Sequence, residues 1–359
     1  MGKYVYFPSY HKKEVFLMSN EFISASAEFT KEDKKQAVKT FSRCHLGLVV
    51  YLLVAGLVIT AMQYVALFMY GEEGYLKLAE GPYFIWILQV VGMYLTAFPL
   101  FLLMLRKLPK AEREKSSMSP KEFGYIFLVS EAIMFIGSLV SQWLVSVFEQ
   151  YLGHEIANST SDIIMETPLW LVILVVVIIG PIVEELIFRK AMIDRLSVYG
   201  DRIAVVASAF AFGLFHGNFY QLFYATALGL VLGYVYTKTR RSIYNILLHI
   251  IVNFMGSIPA ILLNDSINRL NALPEDALLE GQTALDYMLV SAYSNIQLVL
   301  VIGGVITLIR ATFKRSYKFS NECDVRVPFL QRPRVYLVNF GTVAFIVYSI
   351  LQCILSLMI

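Results

Sequence analysis

One apolar stretch, residues 172–190 (VILVVVIIGPIVEELIFRK), constrains the fold most, because it could lie in lipid yet carries charged groups. It contains two adjacent acids, Glu184 and Glu185, and then Arg189. An ionised side chain inside a membrane is costly, so such residues are rare there and usually functional. The stretch therefore predicts a membrane helix with a chemical or structural task.

The spacing of these charged residues separates the two acids. On a helix, Glu185 and Arg189 are i,i+4 neighbours with the acid nearer the N-terminus, which is the better orientation for an ion pair. Glu184 lies about 100° further round the helix and cannot easily share that partner. The pattern predicts an ion pair between Glu185 and Arg189, and it leaves Glu184 available to a group on another helix.

The composition is that of a membrane protein, with 57% hydrophobic and 16% charged residues, against roughly 45–50% and 25% in soluble domains. Apolar runs of about 20 residues can each cross the hydrocarbon layer. We predict an all-α polytopic bundle of eight to nine transmembrane helices, the fifth run being short enough to form a hairpin with the sixth. The runs are residues 46–70, 84–105, 125–148, 169–188, 203–216, 219–236, 243–263, 287–309 and 335–359.

The basic residues indicate the orientation of these spans. Of the 30 lysines and arginines, 28 lie in segments that alternate to one side of the membrane: 1–45, 106–124, 189–202, 237–242 and 310–334. By the positive-inside rule, this side is cytoplasmic. We therefore predict a multi-pass protein of the cell membrane with a cytoplasmic N-terminus.

The predicted organisation has two parts. Residues 1–45 form a cytoplasmic N-terminal segment, in which Thr30 begins a solvated surface helix. Residues 46–359 form the transmembrane domain, and the polar motifs lie within a core at 169–254. The longest connection, 264–286, is predicted to cap helix ends on the outer side. Three cysteines without ligand spacing indicate neither a disulfide framework nor a zinc knuckle.

Two histidines fall within the apolar runs. Phe212 precedes His216 by four residues, and His249 precedes Asn253 by four, so each pair shares a helix face. Counted from the cytoplasmic ends at 1.5 Å per residue, these groups reach depths that overlap with that of Glu184. We predict that Glu184, His216, His249 and Asn253 meet in one cavity open toward the cytoplasm.

Such a set of side chains suits hydrolysis. A carboxylate near a histidine can take a proton from water and pass it to a leaving amine. A second histidine and an asparagine can donate hydrogen bonds to an oxyanion. Glu184, His216 and His249 could instead hold a divalent metal such as zinc, although the chain has no HExxH spacing that demands one.

Other interpretations of these polar residues remain open. A single intramembrane histidine is often only an interhelical hydrogen-bonding group, and buried acids also mark proton-coupled transporters. The absence of a detectable inverted repeat disfavours a transporter. Glu131, in the third run, has no assigned chemical task, and we interpret it as structural or cavity-lining.

Taken in order, Glu184-Glu185-xxx-Arg189, Phe212-xxx-His216 and His249-xxx-Asn253 resemble the three motifs of the CAAX prenyl endopeptidase and bacteriocin-processing (CPBP, Abi) family of intramembrane proteases. Each motif is weak alone, but the three together are specific. The resemblance covers residues 169–254.

The resemblance implies an all-helical membrane endopeptidase. Glu184 with His216 would activate water, and His249 with Asn253 would hold the oxyanion. Glu185, Arg189 and Phe212 would support the site. The preferred mechanism needs no metal, with zinc as the alternative. The implied partners are a peptide or lipidated protein substrate and the lipid bilayer, with no nucleic acid. A non-catalytic immunity or scaffold protein of the same fold is the second hypothesis.

Overall fold

The computed structural model describes residues 29–274, 280–314 and 323–358. Most of the predicted N-terminal segment, residues 1–28, lies outside this range. The described residues form helices and no strand, so the predicted all-α architecture is confirmed. Every predicted apolar run corresponds to a helix or to a bent helix pair.

The helices of the described residues follow the predicted order. Seven are long and apolar enough to cross a membrane; α10 and α11, bent by 54°, could together form an eighth span. With 15 residues, α6 is too short to cross alone. The helices are α1 (Lys31–Ala79), α2 (Phe84–Leu105), α3 (Pro120–Leu152), α4 (Ser159–Glu166), α5 (Leu169–Tyr199), α6 (Asp201–Phe215), α7 (Phe219–Thr239), α8 (Ser242–Asn271), α9 (Gly281–Phe313), α10 (Arg332–Tyr336) and α11 (Phe340–Leu355).

The first helix joins two segments that were predicted separately. Thr30 caps it as expected, since its hydroxyl accepts from the Asp33 amide at 3.1 Å. The helix then runs unbroken through position 45 instead of stopping before the membrane, and its backbone leaves helical geometry only at Gly71 (φ 68°). No proline interrupts residues 31–79. The predicted surface helix and first span are therefore one continuous element.

The connection predicted at 264–286 is also mostly helical. α8 continues to Asn271 and α9 begins at Gly281. The buried Asp286 carboxylate joins them, accepting from Arg269 Nε at 2.7 Å and from the Ser266 hydroxyl at 2.9 Å. Polar residues in the stretch predicted to be a connection therefore form hydrogen bonds between the end of α8 and the start of α9.

The helix ends gather at two opposite poles, which we call the basic end and the opposite end. At the basic end, Arg195 Nε donates to the Leu105 carbonyl at 2.8 Å, and Arg240 pairs with Asp201 at 2.6 Å. At the opposite end, Trp86 Nε1 donates to Thr167 Oγ1 at 2.8 Å. The alternation of helix ends agrees with the order predicted from the charges.

The short α6 packs very closely against α7. A methyl group added at Gly213 would stand 2.6 Å from the Leu222 carbonyl oxygen, and one at Gly229 would stand 2.9 Å from Ala209 Cα. Gly217, at φ 65°, then reverses the chain between the two helices. This tight hairpin holds the end of α6, and with it His216, within the bundle.

Candidate active site

The two adjacent acids on α5 face different surroundings. Glu185 is fully buried, and its Oε2 lies 3.1 Å from Arg189 Nε, so the predicted ion pair is confirmed. The side chain of Glu184 keeps 26% exposure and points into a cavity. Their different neighbours follow from the helical rotation between consecutive residues.

The Arg189 guanidinium is held without solvent. It is fully buried and lies 4.6 Å from the centroid of the Phe212 ring, which supplies a cation–π contact. Phe188 packs edge-on against the same ring at 5.1 Å. Among the described residues, the terminal Arg189 nitrogens have no hydrogen-bond acceptor. The charge of Arg189 is therefore balanced by Glu185 and by an aromatic face.

His249 on α8 lies between the two acids. Its Nδ1 is 2.9 Å from Glu185 Oε1, and its Nε2 is 3.6 Å from Glu184 Oε2. The Glu185 carboxylate accepts a hydrogen bond there, so Nδ1 carries the proton. This contact fixes the ring and directs Nε2 toward Glu184 and the cavity.

His216 reaches the cavity from the C-terminal end of α6. Its Nδ1 donates to the Phe212 carbonyl at 2.8 Å, and its ring meets the Phe212 ring edge-on at 5.0 Å. The two residues thus share a face, as their spacing predicted. With Nδ1 protonated in the neutral ring, Nε2 is an acceptor.

Asn253 lies one turn beyond His249 on α8. Its Nδ2 donates to the Val176 carbonyl at 3.1 Å, which orients the amide. One N–H remains available, because a primary amide carries two. The side chain is half-buried and lines the cavity.

One cavity of about 340 Å³ contains all four predicted catalytic residues. The sequence predicted this convergence, although the helices that carry the residues are separated along the chain. A second cavity of about 370 Å³ adjoins it and shares Asn253, Thr160, Gln221 and other walls. The two together form a cleft lined by residues of α2 to α8.

The direction of this cleft differs from the prediction that it opens toward the basic, predicted cytoplasmic, end. Toward the basic end, Phe188, Met192 and Leu248 are fully buried beneath the four residues. Toward the opposite end, the walls come from Trp86 near the start of α2 and from Thr160 on α4. The aromatic and ion-pair packing around Arg189 closes the basic side, so the cleft extends the other way.

Several walls of the cavity carried no signal in the sequence. Trp86 and Tyr94 come from α2, and Gln221 and Tyr224 come from α7. They belong to no spaced motif, and only the packing of helices brings them to Glu184. Glu131 is buried in α3 and does not line either cavity. Of the two predicted tasks, structural or cavity-lining, this placement favours the structural one.

The alternative metal ligands would be Glu184, His216 and His249. In the part of the chain that the structure describes, no three His, Cys, Asp or Glu side chains form a group that could hold a metal ion. A zinc site here would require these side chains to rearrange. The residues as they lie do not fit a metal.

Comparison with known proteins identifies the core. The family model described as type II CAAX prenyl endopeptidase Rce1-like matches residues 166–255, which contain all three motifs. No solved structure matches the chain significantly. The match covers the segment that the motifs delimit and excludes most flanking helices.

Two bacterial proteins are similar over a longer stretch. YdiL of Bacillus subtilis strain 168, a membrane peptidase by name, is 30% identical over 196 residues, which are 52% of this chain and 77% of YdiL. The membrane-embedded CAAX protease MroQ of Staphylococcus aureus strain USA300 is 26% identical over 177 residues, or 46% of this chain and 70% of MroQ.

Proposed function

The chain belongs to the Rce1-like family of type II CAAX prenyl endopeptidases, and from this premise we propose that it hydrolyses a peptide bond within the membrane, with Glu184 as the general base. The family implies an intramembrane peptidase. One observation carries the finer assignment: Glu184, His216, His249 and Asn253, which come from three helices, line a single cavity.

The water is activated between Glu184 and His216. The Glu184 carboxylate and the unprotonated His216 Nε2 are both acceptors, so a water between them can donate one hydrogen to each. Glu184 takes the proton as the water oxygen attacks the carbonyl carbon. The fully buried ion pair leaves Glu185 committed to Arg189 and His249, so Glu184 is the acid free for this step.

The oxyanion that forms is held by His249 and Asn253. One N–H of the Asn253 amide donates to the Val176 carbonyl, and the second N–H can donate to the oxyanion. In the proposed step, His249 donates from Nε2 with both ring nitrogens protonated, while its Nδ1 stays bonded to Glu185 Oε1 at 2.9 Å. Each donor aimed at a developing oxyanion is worth a few kcal/mol.

Collapse of the tetrahedral intermediate completes the reaction. The C–N bond breaks as the proton held by Glu184 passes to the leaving nitrogen, which departs as an amine. Glu184 returns to a carboxylate, and no redox partner is consumed. None of these steps requires a metal, and we propose a metal-independent mechanism.

The substrate is a membrane-associated peptide or a lipidated protein. The cavity walls are mainly apolar, with Trp86, Tyr94 and Phe215 among them, and they lie within the helical bundle. Such walls accept an extended segment with apolar side chains, and the few polar groups select the scissile bond.

We further propose that the basic end faces the cytoplasm, so the cleft opens away from it. The charge asymmetry of the connections supports this orientation. Labelling of single cysteines in intact cells with a membrane-impermeant maleimide tests it, on a Cys323→Ser background. We expect reaction at Thr160→Cys on α4 in intact cells, and reaction at Ser117→Cys on the basic end only after permeabilisation. The reverse pattern would place the cleft on the cytoplasmic side.

Loss of His216 tests the assignment of the water-activating pair. Wild type, His216→Ala and a control, His154→Ala, are incubated in liposomes with a library of membrane-inserted peptides, and products are identified by mass spectrometry. We expect His216→Ala to lose about 10²-fold or more in rate. His154 is exposed in the connection before α4, so its loss should change nothing.

The same assay separates the other hypotheses. Unchanged turnover in His216→Ala would remove this residue from the chemistry. Loss of activity with chelator, restored by zinc, would contradict the metal-independent step. A wild type that cleaves no peptide would favour the immunity or scaffold hypothesis.

A further inference from the structure

A separate cavity of about 540 Å³ lies at the basic end, between the start of α6 and the segment that leads into α11. Three arginines line it: Arg202 on α6, Arg326, and Arg332 on α10. It shares no wall with the cavity of Glu184. The proposed peptidase mechanism has no use for it.

The charge of this cavity is not neutralised by the protein residues described. Arg202 and Arg326 make no ion pair or hydrogen bond with another described residue. Arg332 donates only its Nε, to the Val327 carbonyl at 3.2 Å. The acid in the lining, Asp201, is already paired with Arg240 at 2.6 Å. Three arginines therefore line a space in which the described residues place no free anion.

An apolar groove of about 300 Å³ continues from this cavity along the outside of the bundle. It runs between α6 and α11, and it shares Ile203, Val206 and Tyr336 with the arginine-lined cavity. Its walls on α6 extend from residue 203 to residue 214, which is about 16 Å at 1.5 Å per residue. That length is close to half of the hydrocarbon thickness, about 15 Å.

Exposed apolar side chains are ordinary on a membrane protein, so the groove alone indicates only contact with lipid. The informative feature is the continuity of a cationic pocket at the level of the interface with an apolar channel one leaflet long. A free phosphate or a soluble anion would use the first part and leave the second unfilled. A ligand with a negative head and a long alkyl chain fills both.

We propose that this composite site binds an anionic phospholipid from the leaflet at the basic end. The phosphate and its headgroup occupy the cavity of Arg202, Arg326 and Arg332. One acyl chain lies in the groove between α6 and α11, against Phe210 and Phe345. The lipid joins the α6 hairpin to α11 and supplies a counter-charge that the described residues do not provide there.

Lipid binding to the purified full-length protein tests this proposal by native mass spectrometry and by thermal unfolding in neutral detergent. We expect phosphatidylglycerol to bind at least tenfold more tightly than phosphatidylcholine with the same acyl chains. Replacing Arg202, Arg326 and Arg332 together with glutamine should reduce this preference at least tenfold. The matched control replaces Arg106, Lys107 and Lys110, which are basic residues at the same end but outside the cavity.

A second variant tests the groove. Ala207→Phe fills its wall on α6 and should weaken phosphatidylglycerol binding while leaving the direct binding of inorganic phosphate unchanged. Equal binding of the two lipids, or equal losses in the two triple variants, would overturn the proposal. So would inorganic phosphate that displaces the lipid at equal concentration, because the acyl chain would then contribute nothing. Since no readout involves turnover, failure here is distinct from failure of the peptidase assignment.

Discussion

Replacement of Glu184 by glutamine is expected to reduce peptide cleavage by about 10²- to 10⁴-fold, which is the usual contribution of a general acid–base group. Glutamine keeps the size of the side chain but cannot take a proton from water at neutral pH. Glu184 retains some exposure to the cavity and forms no ion pair within its own helix. The variant should therefore unfold at the same temperature as wild type, and the loss should appear in the rate alone.

The matched control for this variant is Glu131→Gln. Glu131 is also an acid on a membrane helix, but it is buried and lines neither cavity of the cleft. We expect it to cleave at the wild-type rate in the same liposome assay. Normal turnover by Glu184→Gln would show that the base lies elsewhere, and an equal loss in both variants would point to a general effect of membrane acids.

Replacement of Arg189 by methionine is expected to destabilise the protein by about 3–5 kcal/mol, because it leaves the buried Glu185 carboxylate without its cation. The side chains of Arg189 and Glu185 are both fully buried. The Phe212 ring, which stacks on the guanidinium, is uncharged and cannot replace Arg189 as the counter-charge of the Glu185 carboxylate. Glu185, whose Oε1 accepts from His249 Nδ1, would also no longer be held in place by Arg189. Urea unfolding in detergent micelles, followed by circular dichroism, measures the change.

A double variant separates loss of charge balance from loss of packing. In Glu185→Gln with Arg189→Met, no buried charge is left alone, and the amide oxygen of Gln can still accept from His249 Nδ1. We expect the double variant to be more stable than Arg189→Met. Lys77→Met, which breaks an exposed pair with Glu73, serves as the control and should change stability little. An Arg189→Met protein as stable as wild type would contradict a structural role for the pair.

Much of the architecture follows from short-range regularities of the chain. Apolar runs of membrane length predicted the helices, and their basic connections predicted which ends meet. The Thr30 cap and the ion pair of Glu185 with Arg189 were also predictable, because each depends on residues within one turn of the same helix. In each case the deciding distance lies along a single element.

The candidate site was predictable only as a set of residues. The spacing and the estimated depths in the membrane predicted that Glu184, His216, His249 and Asn253 lie at a similar depth. The three motifs indicated the protein family. The hydrogen bond of His249 to Glu185 was not predicted, because it joins α8 to α5 across a contact of two helices. The walls from Trp86 and Tyr94 were missed for the same reason.

The sequence by itself determined an all-helical membrane protein with a charged core at residues 169–254, since helix formation in lipid is decided by local polarity and backbone hydrogen bonding. Only the tertiary structure decided that the cleft is closed beneath Phe188 and reaches the opposite end. That outcome depends on how rings and side chains from separate helices fill space around Arg189. Such packing is a property of the assembled bundle, and no single helix encodes it.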